Sequence, residues 1–245
     1  MTDDERKFLE AYDASKFAGP LATVDMAIFC IRDDALHVLL IKRGNHPDKG
    51  RWALPGGFVD TRRDADTHAT ALRKLAEKTG IATPYLEQVV TVGSSNRDPR
   101  GWALTVLYFA LIDHAALNPD SENVEDAEWV DVHEALTRDL AFDHRDLLTR
   151  AARRLADKAR YSALPLKLLP AEFTLVETQR VFEILLGAPL EKKSFRRRIL
   201  AADIVEETGR TRPSARRPAQ LYRLTRDIQE DFAFPGLIHT KPALL

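Results

Sequence analysis

Residues 52–81, WALPGGFVDTRRDADTHATALRKLAEKTGI, narrow the possible folds of this chain more than any other stretch. Gly56 and Gly57 open a tight turn, a polar loop follows, and an alanine-rich run then keeps helical spacing up to Gly80, where a helix is expected to close. A glycine turn leading into a helix leaves backbone N–H groups open to an incoming phosphate, and the helix start adds positive potential.

The segments around this stretch predict a mixed sheet. Residues 24–31 and 36–41 are apolar, β-branched runs separated by Arg32-Asp33-Asp34, which predicts a β-hairpin. Further strands are expected over 87–93 and 103–112, joined by SSNRDPRGW, and a short one over 128–131. A short helix is expected over 5–12. A long one is expected over 143–161, where Leu147, Leu148, Ala151, Leu155 and Ala159 fall on one side. The order suits an α/β/α sandwich with a mixed sheet over residues 1–161.

Prolines at 165 and 170 interrupt SALPLKLLP, so 162–170 is expected to be a linker to a second, smaller domain over 171–245. There Thr174 and Glu177 have the spacing of a capping box, and Leu175, Phe182, Leu185 and Leu186 form one helical face. Gly187-Ala188-Pro189 ends that helix. The next, over 191–202, turns Phe195 and Ile199 inward and carries Lys192, Lys193, Ser194, Arg196 and Arg197. Strands over 204–207 and 219–224, around a loop rich in Arg and Pro, complete a winged helix-turn-helix.

Charge points the same way. Residues 192–226 hold 11 lysines or arginines against three acids, so this segment carries +8 within a chain of net charge −1. A basic module on an acidic domain is the footprint of a nucleic-acid binder, here double-stranded DNA. Lys192, Lys193, Ser194, Arg196 and Arg197 are the expected recognition residues, and Arg210, Arg212, Arg216 and Arg217 the expected wing contacts to phosphate or minor groove. A single winged helix covers little sequence, so a homodimer on a near-palindromic site is expected. Cys30 is the one cysteine, which precludes an internal disulfide and fits a reducing cytoplasm. The first residues lack the pattern of a signal peptide, and no apolar run reaches the ~18 residues of a membrane span. His68, His114, His133 and His144 lack zinc spacing, so no metal is expected.

Arg73, Leu75, Glu77, Gly80 and Ile81 match the Nudix box, whose acids share one helical face to hold magnesium, yet Lys74 and Lys78 stand at two acid positions and Ala65 at the upstream one. With WALPGGFV at 52–59, RKLAEKTG at 73–80, RDPRGW at 97–102, FRRRIL at 195–200 and RRPAQLYR at 216–223, the chain resembles the Nudix-related transcriptional regulators of NAD metabolism, NrtR. The resemblance implies a Nudix-like sensor fused to a winged helix, a homodimeric repressor, and ADP-ribose or a related nucleotide as effector, with no cofactor required. The expected effector site comprises Arg43, Trp52, Gly56, Gly57, Phe58, Lys74, Glu77, Lys78, Arg97 and Arg100, the two lysines standing in for the metal's charge. A second reading keeps hydrolysis and holds a metal with Asp60, Asp64 or Asp66 beside Glu77. A third leaves the Nudix fold only a role in dimerisation.

Overall fold

The computed structural model describes residues 1–13, 16, 19–79, 85–112, 124–213 and 217–225. Helix α1 spans Asp3–Ala11, started by a Thr2/Glu5 capping box. A mixed sheet follows, built from β1 (Leu21–Arg32), β2 (Ala35–Arg43), β3 (Trp52–Ala53), β4 (Gly56–Phe58), β5 (Tyr85–Ser94), β6 (Ala103–Leu111) and β7 (Val124–Asp131). Its main path runs β3-β2-β1-β6-β5, with β4 paired to β1 and β7 to β2. Among the strands of the described residues β1 and β6 alone pair in parallel, in register from Leu21↔Ala103 to Phe29↔Leu111. The predicted hairpin turns at Asp33 and Asp34, both with positive φ (46° and 58°), as a two-residue turn matched to strand twist requires.

Strand alternation sends side chains to two cores. Val24, Met26, Ile28 and Cys30 pack under helix α2 (Thr67–Thr79) with Ala71 and Leu75. Ala27, Phe29, Val38 and Leu40 face the other way, onto helix α4 (His144–Ala159), whose Leu147, Leu148, Ala151, Leu155 and Ala159 are all buried. Between β7 and α4 lies a helix the periodicity did not reveal, α3 (Val132–Thr137), started by Asp131, whose carboxylate accepts from His133 N and Glu134 N.

Helix α4 ends at Ala159, before either proline, and the expected linker 162–170 is packed rather than exposed. Ser162, Ala163, Leu164, Leu166 and Leu168 are buried around a 3-10 helix at Leu164–Leu168. Four leucines in nine residues supply the reason, since an apolar segment gains by packing on α4. Helices α5 (Leu175–Leu186) and α6 (Lys192–Ala201) and the two-stranded wing β8 (Val205–Arg212) and β9 (Ala219–Leu224) follow. Thr174 and Glu177 form the expected capping box, and Gly187 ends α5 with φ of 64°. Phe173, Phe182, Phe195, Ile199 and Tyr222 belong to the same buried cluster as Phe29 and Leu147, so one core runs from the sheet into the winged helix.

Candidate effector cleft and nucleic-acid interface

A cleft of about 830 Å³ opens between α2, strand β4, the end of β2 and the segment entering α4. Eight cationic side chains line it against four carboxylates. Arg43, Gly56, Gly57, Phe58, Lys74, Glu77, Lys78, Arg97 and Arg100 all reach it. Trp52 does not. The Lys42↔Trp52 pairing turns its ring away, where Arg138 lies 5.5 Å over it and the main core packs against it. The expectation that Trp52 contacts the effector is corrected on this ground.

The glycines act through closeness, since neither has positive φ. A Cβ at Gly56 would lie 2.3 Å from Asp25 Oδ1 and 2.4 Å from Val24 O, where β4 pairs with β1. At Gly57 it would meet the end of Lys74, which can move. Gly56→Ala is therefore expected to destabilise the fold by about 1–3 kcal/mol through overpacking. Gly57→Ala should cost far less, and urea unfolding of the two variants reads the difference.

On α2 and in the loop before it, the carboxylates Glu77 and Asp64 are engaged by basic side chains. Asp64, its side chain 2% exposed, accepts from Arg73 Nε at 2.7 Å and Arg73 NH2 at 2.5 Å, and from Asp60 N and Thr70 Oγ1. The Arg73 guanidinium holds this carboxyl well below the usual range. Glu77 receives Lys74 Nζ at 2.8 Å and Arg73 NH1 at 3.1 Å; burial pushes its pKa up, yet these two hydrogen bonds bring it below the ordinary value. Burial, reinforced by Lys74, lowers the pKa of Lys78. Among the described residues no group of three or more His, Cys, Asp or Glu side chains is placed to hold a metal ion.

Arg97 lies at the floor rather than the rim. Its side chain is 6% exposed, with Nε and NH2 donating to Asp143 at 3.1 and 3.0 Å and NH2 to Asp25 at 3.5 Å. Arg100 is clamped by Asp98 at 2.6 Å and stacks over Phe58 at 5.0 Å, while Arg43 stacks over Phe142 at 4.5 Å. Phe58 keeps 45% of its surface exposed beside these guanidinium planes, an open aromatic face for a planar ring. His144 Nδ1 accepts from Leu54 N at 2.9 Å, so the neutral ring turns its Nε2–H toward Asp25, 3.7 Å away; burial lowers its pKa. Asp25, Asp98, Phe142 and His144 had no place in the sequence-based site. The register of β1 brings Asp25 to the cleft and the course of the chain into α4 brings Phe142 and His144, while Asp98 comes on the same loop as Arg97 and Arg100.

In the second module, Phe195 and Ile199 of α6 are buried, Lys192, Lys193 and Arg197 exposed, and Ser194 and Arg196 half-buried. Glu191 caps this helix, accepting from Lys193 N at 2.9 Å and Ser194 N at 2.7 Å. Arg210 and Arg212 are not free wing contacts but pair with Glu172 and Glu177 at the start of α5. Such exposed pairs are worth about 0–1 kcal/mol and exchange readily for phosphate. Arg217 is exposed beside β9, and Arg216 lies outside the described residues, as do Gly80, Ile81 and His114.

Residues 22–151 match the NUDIX domain and residues 165–224 the NrtR DNA-binding winged helix domain. The chain is 52% identical over 235 residues to the ADPR responsive transcriptional repressor NtrR of Acinetobacter baylyi, covering 96% of this chain and 93% of that one. The crystal structure of Shewanella oneidensis NrtR complexed with a 27mer DNA superposes with a TM-score of 0.82 at 45% identity, over 89% of this chain and 99% of that one. The NUDIX domain of the same protein complexed with ADP ribose gives 0.59 at 45% identity, over 63% of this chain and 99% of that one.

Proposed function

Because the chain belongs to the NrtR family, a Nudix domain joined to a DNA-binding winged helix, we propose that it is a transcriptional repressor that binds ADP-ribose without cleaving it and then leaves DNA. The observation that carries the reading is the engagement of Glu77 by Arg73 and Lys74 in a cleft dominated by cations, with Asp64 behind it held by Arg73. Magnesium binding and water activation need carboxylates that are not already committed to bases. Arginine forks and a lysine cluster suit the diphosphate, and the open face of Phe58 suits the adenine. The relatives support the same ligand and partner, since one is named as responsive to ADPR and another was crystallised with DNA and with ADP ribose.

Asp60, Asp64 and Asp66 would serve hydrolysis only by leaving their present partners: Asp64 holds Arg73, and Asp66 accepts from Ala69 N at 2.7 Å. The repressor acts as a homodimer in the cytoplasm, bound to the nucleoid through genes of NAD synthesis or salvage, ADP-ribose being a breakdown product of NAD. No helix among the described residues is long and apolar enough to cross a membrane.

One incubation tests binding and turnover together: the full chain, a labelled duplex selected from random sequence, magnesium and ADP-ribose, read by mobility shift and by chromatography of the nucleotide. The duplex is expected to be released while ADP-ribose is recovered intact. Steady metal-dependent production of AMP would contradict the reading.

A further inference from the structure

Asp143 is the N-cap of α4, yet its side chain makes no capping bond and its ψ is 18°. Thr2, Asp131, Thr174 and Glu191, the caps of α1, α3, α5 and α6, all have ψ between 116° and 163° and all accept from the first turn. The difference has a visible cause: both oxygens of Asp143 are taken by Arg97. Arg97 is buried at the floor of the cleft, shared between Asp143 and Asp25, and is the guanidinium an anion entering there would engage.

We propose that Asp143 is a positioning residue with two alternative partners: Arg97 while the cleft is empty, and the first-turn N–H groups of α4 once the ligand's diphosphate draws Arg97 away. The inference rests on the effector reading above and names how that site is coupled to DNA. To cap, Asp143 must rotate ψ toward the extended values of the other caps, and Phe142, which carries a φ of 51° and stacks under Arg43, turns with it. The entry into α4 is therefore two-state, as a coupling element must be. Helix α4 is sixteen residues, about 24 Å, long. At its far end Ser162 N and Oγ both donate to Lys158 O, and the buried 3-10 helix packs against α5, which begins at Leu175. A change in how the chain enters α4 thus reaches the winged helix through the buried side chains that α4, the 3-10 helix and α5 share.

The experiment uses the full chain, ADP-ribose, and a duplex selected from random sequence by the wild type. It compares the duplex Kd at saturating ADP-ribose with the Kd in its absence, a ratio that does not depend on how tightly the variant holds ADP-ribose. The wild-type ratio is expected to be about tenfold or more. Asp143→Asn keeps a capping oxygen but loses the charge that holds Arg97, so its duplex Kd without ligand should already be weak and its ratio near one. Asp143→Ala can do neither, so its duplex Kd without ligand should stay near wild type, again with a ratio near one. A merely structural role would move both variants the same way. Asp143→Ser, also neutral and able to cap, repeats the Asn result if the Asn chain does not fold. An Asn variant with the wild-type ratio, or Asn and Ala variants with equal duplex Kd, overturns the exchange and leaves the repressor reading standing. A wild-type ratio of one sinks the repressor reading, and the exchange with it.

Discussion

Replacing Phe182 by Ala is expected to cost about 3–5 kcal/mol, a large part of a total stability of ~5–15 kcal/mol. Phe182 is fully buried and meets Phe195 edge to face, with ring centroids 5.3 Å apart, where α5 crosses α6. Its cluster is continuous with Leu147, Leu155 and Phe109, so the lost contacts are shared by both modules. The variant should therefore melt in one transition, at a lower temperature than the wild type. Calorimetry that finds the winged helix melting alone, with the sheet's transition unmoved, would show that the modules are not one cooperative unit.

Arg196→Ala with Arg197→Ala is expected to weaken binding to a selected duplex by roughly 100-fold or more, since each side chain that reads a base edge is worth about 1–3 kcal/mol. Arg197 projects from the exposed face of α6, and Arg196 lies half-buried beside it with Phe195 anchoring the helix from behind. Binding to random DNA should fall much less, because phosphate contacts from elsewhere remain. Removing Arg217 should do the reverse, weakening all sequences alike and lowering the salt slope by about 0.9. Fluorescence anisotropy across a salt series separates the two effects; a double variant that still prefers the selected duplex would remove α6 as the reading helix.

Most of the fold was legible because continuous apolar runs and period-3.6 patterns report burial directly. The apolar, β-branched run over 24–31, the run of Leu147, Leu148, Ala151 and Leu155, and the Thr174/Glu177 box each carry their own signal. Helix α3, at six residues, is too short for periodicity, and β3 and β4 exist only through pairing with β2 and β1. In the site, Gly56, Lys74, Glu77 and Arg100 were legible from local sequence, because one turn and one helix place three of them. Trp52 was misplaced because strand register, not residue type, decides which way a ring points. The depth of Arg97 depends on Asp143, 46 residues away, a partnership that only the folded chain makes. For the same reason the packing of the expected linker 162–170 was not legible: its leucines find their partners on α4 and α5.

The central claim is that the cleft and the DNA module exclude one another's ligands, and titration calorimetry tests it most directly. ADP-ribose is titrated into the free chain and into the chain already saturated with its selected duplex. Binding linkage requires that the duplex weaken ADP-ribose by the same factor by which ADP-ribose weakens the duplex, expected to be about tenfold or more, or ~1.4 kcal/mol. The account predicts that matched loss; equal affinity for ADP-ribose in the two titrations would contradict it.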